Sequence, residues 1–267
     1  MRVAIQGERG SFHDEAARQW YGEHIEIVEC DSFPEVFAAV KSGAAEKAVA
    51  AMENSLYGSI NQVYDLVEEY GYPIVGEVHL SVHQQLIAVP GHEITTIYSH
   101  PVALAQCETF LDEQYPFAGR VEVPDTAGAV RQISESREPG AAAIASAYAA
   151  SLYDMPIIAR DIENNPANFT RFLVLDPNGT VPEDADRATL VVTTKNDPGS
   201  LARVLLVFAD MGINLSKLQS RPIVGRPWHY RFYLVVDCAG ERLHRALEGI
   251  EPLTTEVKVL GEYVFNP

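Results

Sequence analysis

The first two-thirds of the chain repeats one pattern, a short apolar run typical of a buried strand followed by an amphipathic stretch typical of a helix. It begins with a strand at 2–6 and a helix near 11–21, and continues with strands at 25–30 and 47–52. This alternation predicts an α/β sheet with helices on both faces. Sheets of this kind bind ligands where the carboxyl ends of strands open into loops.

Polar residues occur at four of these predicted strand ends. They are Gly10-Ser11, Glu53-Asn54-Ser55, Ser99-His100 and Asp125-Thr126. Because such strand ends open onto one edge of the sheet, the topology predicts that the four groups converge on a single cleft.

The stretch 176–186 is rich in turn formers and acidic residues, which is typical of a linker. Beyond it the predicted elements follow the order β-α-β-β-α-β, the ferredoxin-like arrangement. The sequence therefore predicts two domains, at 1–179 and 187–267. The second is of a size that can fold separately.

Charge and cysteine content limit the possible partners and compartment. A formal net charge of −17 argues against nucleic acid and anionic membranes, since both require basic surface. Three widely spaced cysteines without a CxxC pair argue against a disulfide framework and favour a reducing compartment. With no apolar run long enough to span a bilayer and no signal-peptide pattern, we expect a cytoplasmic protein.

Six segments, in order, resemble prephenate dehydratase. They are Gly10-Ser11-Phe12, Met52-Glu53-Asn54-Ser55, Ser99-His100-Pro101 with Ala105-Gln106-Cys107, Asp125-Thr126-Ala127-Gly128, Ala142-Ala143-Ile144-Ala145-Ser146, and Asn168-Phe169-Thr170-Arg171-Phe172. The Glu-Asn-Ser and Thr-Arg-Phe segments are the most specific. The chain departs from the family in the first turn, Gln6-Gly7-Glu8-Arg9-Gly10, where Gly-Pro usually precedes the last glycine, and at Ala51-Met52, where Pro-Ile is usual.

The C-terminal part resembles the ACT domain, a small module that binds amino acids. The resemblance is carried by Asp197-Pro198-Gly199, Gly212-Ile213-Asn214-Leu215, Ser220-Arg221-Pro222 and Tyr230-Arg231-Phe232-Tyr233. Ser200 stands where an alanine is usual, and Gln219 where a glutamate is usual.

The resemblance implies a two-lobed, periplasmic-binding-protein-like catalytic domain followed by an ACT domain. It also implies the conversion of prephenate into phenylpyruvate for phenylalanine biosynthesis, with loss of carbon dioxide and water. Aromatisation of the ring drives this reaction, so the enzyme has to hold two carboxylates and help a ring hydroxyl leave. We expect no metal or other cofactor, and the sequence has no HExxH motif or P-loop.

The resemblance assigns site residues in two groups. The catalytic group is Thr170, as hydrogen-bond donor to the leaving hydroxyl, with Asn54, Gln106 and Glu53. The substrate-binding group is Ser11, Phe12, Ser55, His100, Thr126, Arg171 and Phe172.

Three of these residues have competing interpretations. Arg171 either pairs with a substrate carboxylate or forms a structural ion pair. Glu53 is either an acid or, as we favour, a residue that orients Asn54. His100 is either a general acid or, as is usual for a lone histidine at a turn, structural.

For regulation, the resemblance implies that phenylalanine binds between two ACT domains. The expected binding residues are Gly199, Ser200, Leu201, Asn214, Leu215, Gln219 and Ser220. A ligand at such an interface requires at least a homodimer, and the family suggests a tetramer, a dimer of dimers.

Two other functions remain open from the sequence. An arogenate dehydratase would use the same scaffold on a substrate with an amino group in place of the keto oxygen. A non-catalytic amino-acid sensor would combine a two-lobed binding domain with the ACT module. A turnover assay on both substrates separates these alternatives.

Overall fold

The computed structural model describes residues 1–265. The strands found there are β1 (Arg2–Gln6), β2 (Glu26–Cys30), β3 (Lys47–Asn54), β4 (Gly58–Ser59), β5 (Ile74–Ser81), β6 (Gln85–Ala88), β7 (Thr96–Ser99), β8 (Gly119–Glu122), β9 (Ala141–Ala145), β10 (Ile157–Ala159), β11 (Phe169–Leu175), β12 (Arg187–Thr194), β13 (Leu215–Pro222), β14 (Tyr230–Val236) and β15 (Thr254–Tyr263). The helices there are α1 (Phe12–Tyr21), α2 (Phe33–Lys41), α3 (Asn61–Tyr70), α4 (Pro101–Gln106), α5 (Glu108–Gln114), α6 (Thr126–Ser136), α7 (Ala147–Leu152), α8 (Ser200–Asp210) and α9 (Gly240–Ile250). Among these helices, none has both the length and the apolar character that crossing a membrane requires.

These elements divide into two compact units. Unit 1 consists of Met1–Val63 and Val78–Phe172, and unit 2 consists of Tyr64–Glu77 and the chain from Leu173 onward. The segment 64–77, which the sequence places within the first predicted domain, thus belongs to the unit that contains the C-terminal residues.

The residues up to 175 form two α/β lobes, most of which belong to unit 1. In the first sheet, of order β2-β1-β3-β11-β5, β1 runs parallel to both β2 and β3. In the second, of order β10-β6-β9-β7-β8, β7 runs parallel to β8 and β9, whereas β6 is antiparallel to β9 and β10. The chain passes from the first sheet to the second after β5 and returns before β11, which confirms the two-lobed organisation of the predicted fold.

The point where the chain leaves the first sheet for the second corrects a prediction. The sequence predicts one long extended stretch at 74–89, but the structure divides it into β5 and β6, which lie in different sheets. Val82, His83 and Gln84 connect them. The local sequence pattern indicates that both halves are extended, but not that they lie in different sheets.

Three helices begin at residues that the sequence marks as helix starts. The Ser11 hydroxyl accepts from the Asp14 N–H at α1, and the Asp125 carboxylate accepts from the Gly128 N–H at α6. At α2, Ser32 occupies the N-cap position, but its side chain makes no capping hydrogen bond. Instead the Glu35 carboxylate accepts from the Asp31 N–H at 3.0 Å. Capping satisfies N–H groups that a helix leaves unpaired at its first turn.

Unit 2 contains a four-stranded sheet of order β13-β14-β12-β15 with α8 and α9. The helices pack through Val204, Phe208, Leu243 and Ala246, all fully buried, onto apolar residues of the sheet. The element order β12-α8-β13-β14-α9-β15 confirms the predicted ferredoxin-like arrangement.

Candidate active site

A cavity of about 370 Å³ lies within unit 1, with walls from both lobes. Pockets that hold small molecules commonly have volumes of about 300–1,000 Å³. Eight of the eleven residues that the sequence assigns to catalysis or substrate binding line it: Ser11, Phe12, Asn54, His100, Gln106, Thr126, Thr170 and Phe172. The structure therefore brings together residues from all four predicted strand ends.

The centre of one wall is a hydrogen-bonded group of three side chains. Asn54, the last residue of β3, donates from Nδ2 to Oγ1 of Thr170 on β11 at 3.0 Å. The same Nδ2 donates to Oδ1 of Asn168 at 2.8 Å, and Asn168 is fully buried. Since Thr170 accepts from Asn54, the hydrogen of its hydroxyl remains available for a ligand.

The backbone fixes which way the Asn54 amide faces. Its Oδ1 accepts from the N–H groups of Leu56 and Tyr57, at 3.0 and 3.1 Å. Only the carbonyl oxygen of an amide can accept from two N–H groups, so the NH₂ group has to face Thr170 and Asn168. The tight turn after β3 is thus what aims the donor.

Helix α4 and its N-cap contribute two polar residues to the cavity wall, one at each end, with Val102 and Ala103 between them. His100 is its N-cap, and its Nδ1 accepts from the Val102 N–H at 3.2 Å. Burial lowers the pKa of His100, so the ring is neutral at pH 7 and carries its proton on Nε2. This geometry fits the structural interpretation of a helix cap, with one N–H left that can donate.

Gln106 ends α4 and is almost fully buried. Its Oε1 accepts from Nε2 of Gln84 at 3.1 Å. Within residues 1–265 no hydrogen bond uses the Gln106 Nε2, so this group is the polar end that a ligand would meet.

The predicted residues omit several side chains of the cavity wall, among them His13 and Gln84. Burial lowers the pKa of His13 to about 3, and its Nε2 accepts from the Ala51 N–H at 3.2 Å. Its ring packs edge-on against Phe172, with ring centroids 5.0 Å apart. His13 directly follows Ser11-Phe12, a signal that could have identified it, whereas no local pattern marks Gln84.

Glu53, Ser55 and Arg171 lie outside the wall. Side chains alternate between the two faces of a strand, so Arg171 faces away when Thr170 and Phe172 face the cavity. Arg171 Nη2 lies 3.1 Å from Oε2 of Glu53, which corresponds to the structural ion pair that the sequence left open. The Ser55 hydroxyl donates to the carbonyl of Ala167 and accepts from the N–H of Phe169.

The cavity has an unusual charge balance for a site that would bind a dicarboxylate. None of the described residues that line it is lysine or arginine, and Asp125 is their one carboxylic acid. Burial raises the pKa of Asp125. Neutral donors and the amino-terminal ends of α1 and α6, which carry partial positive charge, are therefore what the wall offers an anion.

Behind the wall lies a group with the atom types of a metal site, His83, Asp161 and Glu163, whose ligand atoms lie within 4.8 Å of one another. Hydrogen bonds already use these atoms. His83 Nδ1 bonds Oε1 of Glu163 at 2.9 Å, and its Nε2 bonds the Ser81 hydroxyl at 3.0 Å. The other Glu163 oxygen accepts from the Gln84 N–H at 2.9 Å. The group acts as a structural network.

In unit 2 the predicted phenylalanine-binding residues fall into separate places. Gly199, in the left-handed conformation with φ +78°, precedes α8, followed by Ser200 and Leu201. Asn214 and Leu215 follow the other end of that eleven-residue helix, about 16 Å away. Gln219 and Ser220 lie further along β13.

Comparison with known proteins identifies the family. The sequence profile described as prephenate dehydratase matches residues 3–180. The chain belongs to the prephenate dehydratase family. The profile described as ACT domain matches residues 188–244, so this family member carries a C-terminal ACT domain.

Individual relatives agree with this assignment. The chain is 38% identical to arogenate dehydratase 1 of Petunia hybrida, over 98% of this chain and 66% of that protein. It is 35% identical to the bifunctional chorismate mutase/prephenate dehydratase of Stutzerimonas stutzeri, over 98% of this chain and 73% of that protein. The chain thus spans about two-thirds to three-quarters of the length of these relatives.

Two solved structures resemble the whole chain. One is described as GqqA, a novel type of quorum quenching acylase, with a TM-score of 0.89 and 33% identity over 100% of this chain and 99% of that chain. The other is a prephenate dehydratase from Arthrobacter aurescens in complex with L-Phe, with a TM-score of 0.88 and 30% identity over 99% of this chain and 90% of that chain.

Proposed function

We propose that the cavity of unit 1 is the place where this prephenate dehydratase converts prephenate into phenylpyruvate. The observation that carries the proposal is the hydrogen bond from Asn54 to Thr170, on a wall that also presents Gln106. It leaves a threonine hydroxyl hydrogen directed to a ligand, and a hydrogen-bond donor is what a departing hydroxyl needs.

The reaction breaks two bonds of the substrate ring. The bond to the ring carboxylate breaks to release carbon dioxide, and its electron pair moves into the ring. The carbon–oxygen bond of the ring hydroxyl breaks, and the oxygen takes up a proton to leave as water. No proton is removed from carbon, so the site needs positioned donors and no strong base.

Thr170 acts on the leaving hydroxyl in this scheme. A threonine hydroxyl is too weak an acid to lose its proton alone, so Thr170 donates a hydrogen bond and relays a proton that water or a neighbour replaces. The Asn54 N–H stabilises Oγ1 as negative charge develops there. Hydrogen bonds in such a chain strengthen one another, which makes the pair a better donor than threonine alone.

The other lining residues hold the substrate. Ser11, Thr126 and the His100 Nε2–H supply neutral donors for the carboxylates, together with Gln106. Phe12 and Phe172 supply apolar contacts for the ring. Glu53, Ser55 and Arg171 act indirectly, because they fix β3, its loop and β11 to one another.

A second candidate substrate is arogenate, favoured by the charge of the cavity wall. Arogenate carries an ammonium group in addition to two carboxylates, so its net charge is smaller than that of prephenate. A wall with one carboxylic acid and no described lysine or arginine disfavours arogenate less strongly than prephenate, because the ammonium group makes arogenate the less negative of the two. The Petunia relative, 38% identical, is named for this activity.

Steady-state kinetics of the purified chain on prephenate and on arogenate test both candidates. We expect turnover, with the ratio of the two kcat/KM values giving the preference. Turnover of neither would contradict the proposal and leave the non-catalytic sensor. Steady-state kinetics of the purified chain on an acylated amine test the acylase activity for which the GqqA neighbour is named.

The ACT domain is the proposed site of feedback by phenylalanine. Because Gly199 and Asn214 lie at opposite ends of α8, one chain does not assemble the predicted residues into one site, which fits a ligand held between two copies. The relative solved with L-Phe supports the choice of ligand. A coupling of about 1–3 kcal/mol would change the apparent affinity about 5–150-fold.

Calorimetry with L-phenylalanine, and with D-phenylalanine as the control, tests this regulation. We expect binding heat and reduced kcat/KM with the L-enantiomer alone. Absence of both heat and a thermal shift with L-phenylalanine would contradict it.

The remaining proposals concern organisation and location. We propose a catalytic domain at 1–179 and a regulatory domain at 187–267, which the matched ranges 3–180 and 188–244 support. A dimer of dimers is the proposed assembly, to be measured by light scattering with and without phenylalanine. A cytoplasmic location is the proposed compartment, supported by three buried free cysteines.

A further inference from the structure

Gln84 lies where the chain passes from the first lobe to the second, between β5 and β6. It is 2% exposed, and its side chain reaches the cavity wall. There its Nε2 donates to Oε1 of Gln106 at 3.1 Å. A buried amide held against another amide determines which end of its partner faces outward.

One short segment holds the backbones of both glutamines. The Ile162 N–H donates to the carbonyl of Gln84 at 2.9 Å, and the Asn164 N–H donates to the carbonyl of Gln106 at 2.7 Å. Between them, Oε2 of Glu163 accepts from the Gln84 N–H. The segment 162–164 therefore fixes the distance between the two side chains, and it leads directly to Asn168 and Thr170.

The direction of the two amides follows from the cost of unpaired groups. As arranged, one atom of Gln84, its buried Oε1, has no partner among the described residues. If both amides were reversed, the Gln84 NH₂ group would occupy that buried position with two unpaired donors. Each buried unsatisfied group is costly, so the observed direction is the better one.

We propose that Gln84 is a positioning residue, which acts through Gln106 by turning its Nε2–H group into the cavity to donate to the substrate. This inference rests on the proposed function of the cavity. It adds a residue that contacts no reacting atom and yet determines whether Gln106 presents a donor or an acceptor to an anionic substrate.

The test is a double-mutant cycle with Gln84→Met and Gln106→Met in the chain of 267 residues. Methionine keeps the length of glutamine and removes both polar atoms. We expect Gln84→Met to lower kcat/KM about five- to tenfold, as for the loss of one oriented hydrogen bond. The split of that loss between kcat and KM should match the split in Gln106→Met, and the double variant should lose no more than Gln106→Met alone.

Gln85→Met is the matched control. Gln85 is the next residue and is equally buried, but its side chain bonds Asp161 and does not line the cavity. We expect it to leave kcat/KM within about twofold, while melting temperatures report any loss of folding in each variant.

The outcomes separate this inference from the proposed function. Wild-type chain that turns over neither prephenate nor arogenate would overturn the proposed function and this inference with it. Active wild-type chain, with either unchanged kinetics in Gln84→Met or losses that add in the double variant, would overturn the positioning role alone.

Discussion

The side-chain amide of Asn54 donates a hydrogen bond to Oγ1 of Thr170 across 3.0 Å, between residues 116 positions apart in the chain. Two further contacts of Asn54, to Asn168 and to the backbone of its own turn, leave this amide no freedom to rotate. The pair is therefore preorganised before a substrate arrives. Where charge develops in a transition state, preorganised hydrogen-bond donors usually make the largest single contribution to catalysis.

Thr170→Ala removes the hydroxyl that we place on the leaving group. We expect kcat to fall about 10²–10³-fold, corresponding to about 3–4 kcal/mol, with KM for prephenate nearly unchanged. Steady-state kinetics measure both parameters. Thr170→Ser, which keeps the hydroxyl, is the control and should retain most of the activity. Near-normal turnover in the alanine variant would contradict the role.

Asn54→Asp tests the direction of the hydrogen bond at nearly constant shape. The carboxylate still accepts from the Leu56 and Tyr57 N–H groups, but it can no longer donate, and it would draw the Thr170 hydrogen away from the substrate. We expect kcat to fall about as far as in Thr170→Ala. The double variant should then cost little more than either change, whereas additive losses would show that the two residues act independently.

Arg171→Met tests whether Arg171 binds substrate or supports β11. If the ion pair with Glu53 is structural, the variant should lose about 1–3 kcal/mol of unfolding free energy, because it leaves the Glu53 carboxylate half-buried without this partner. KM should change little, and Glu53→Gln added to it should recover part of the stability. Urea unfolding and kinetics check these expectations. A large rise in KM at unchanged stability would instead assign Arg171 to the substrate.

His13 predicts a specific sensitivity to acid. Its pKa is lowered to about 3 in the folded chain, against about 6.5 when unfolded. Between these values the unfolded state binds one more proton than the folded state, so stability falls as pH decreases from about 6.5 towards 3. His13→Gln removes this titration and should flatten that part of the curve.

The matched control for this prediction is His92→Gln, since His92 is exposed. It should keep the wild-type dependence of stability on pH. Melting temperatures measured from pH 7 to pH 4 compare the three proteins. A His13→Gln curve parallel to the wild-type curve would show that His13 does not contribute.

Much of the site was accessible from the sequence because its residues follow strand ends and helix starts. Ser11, Asn54, His100 and Thr126 all occupy such positions, and local patterns mark them. The family resemblance added the functional roles. What local patterns leave open is the face of a strand: alternation requires that Thr170 and Arg171 face opposite sides, but only packing decides which of them faces the cavity.

The amino-acid sequence by itself determined the element types, the ferredoxin-like order of the C-terminal part and the family, because these depend on periodicity, caps and short motifs. Tertiary structure alone decided that 74–89 divides between two sheets, that 64–77 belongs to unit 2, and that Gln84 supports Gln106 from 22 positions away. The physical reason is the distance along the chain over which each kind of interaction acts. Propensity and hydrophobic pattern act over a few residues, whereas a hydrogen bond between distant side chains depends on how whole elements pack.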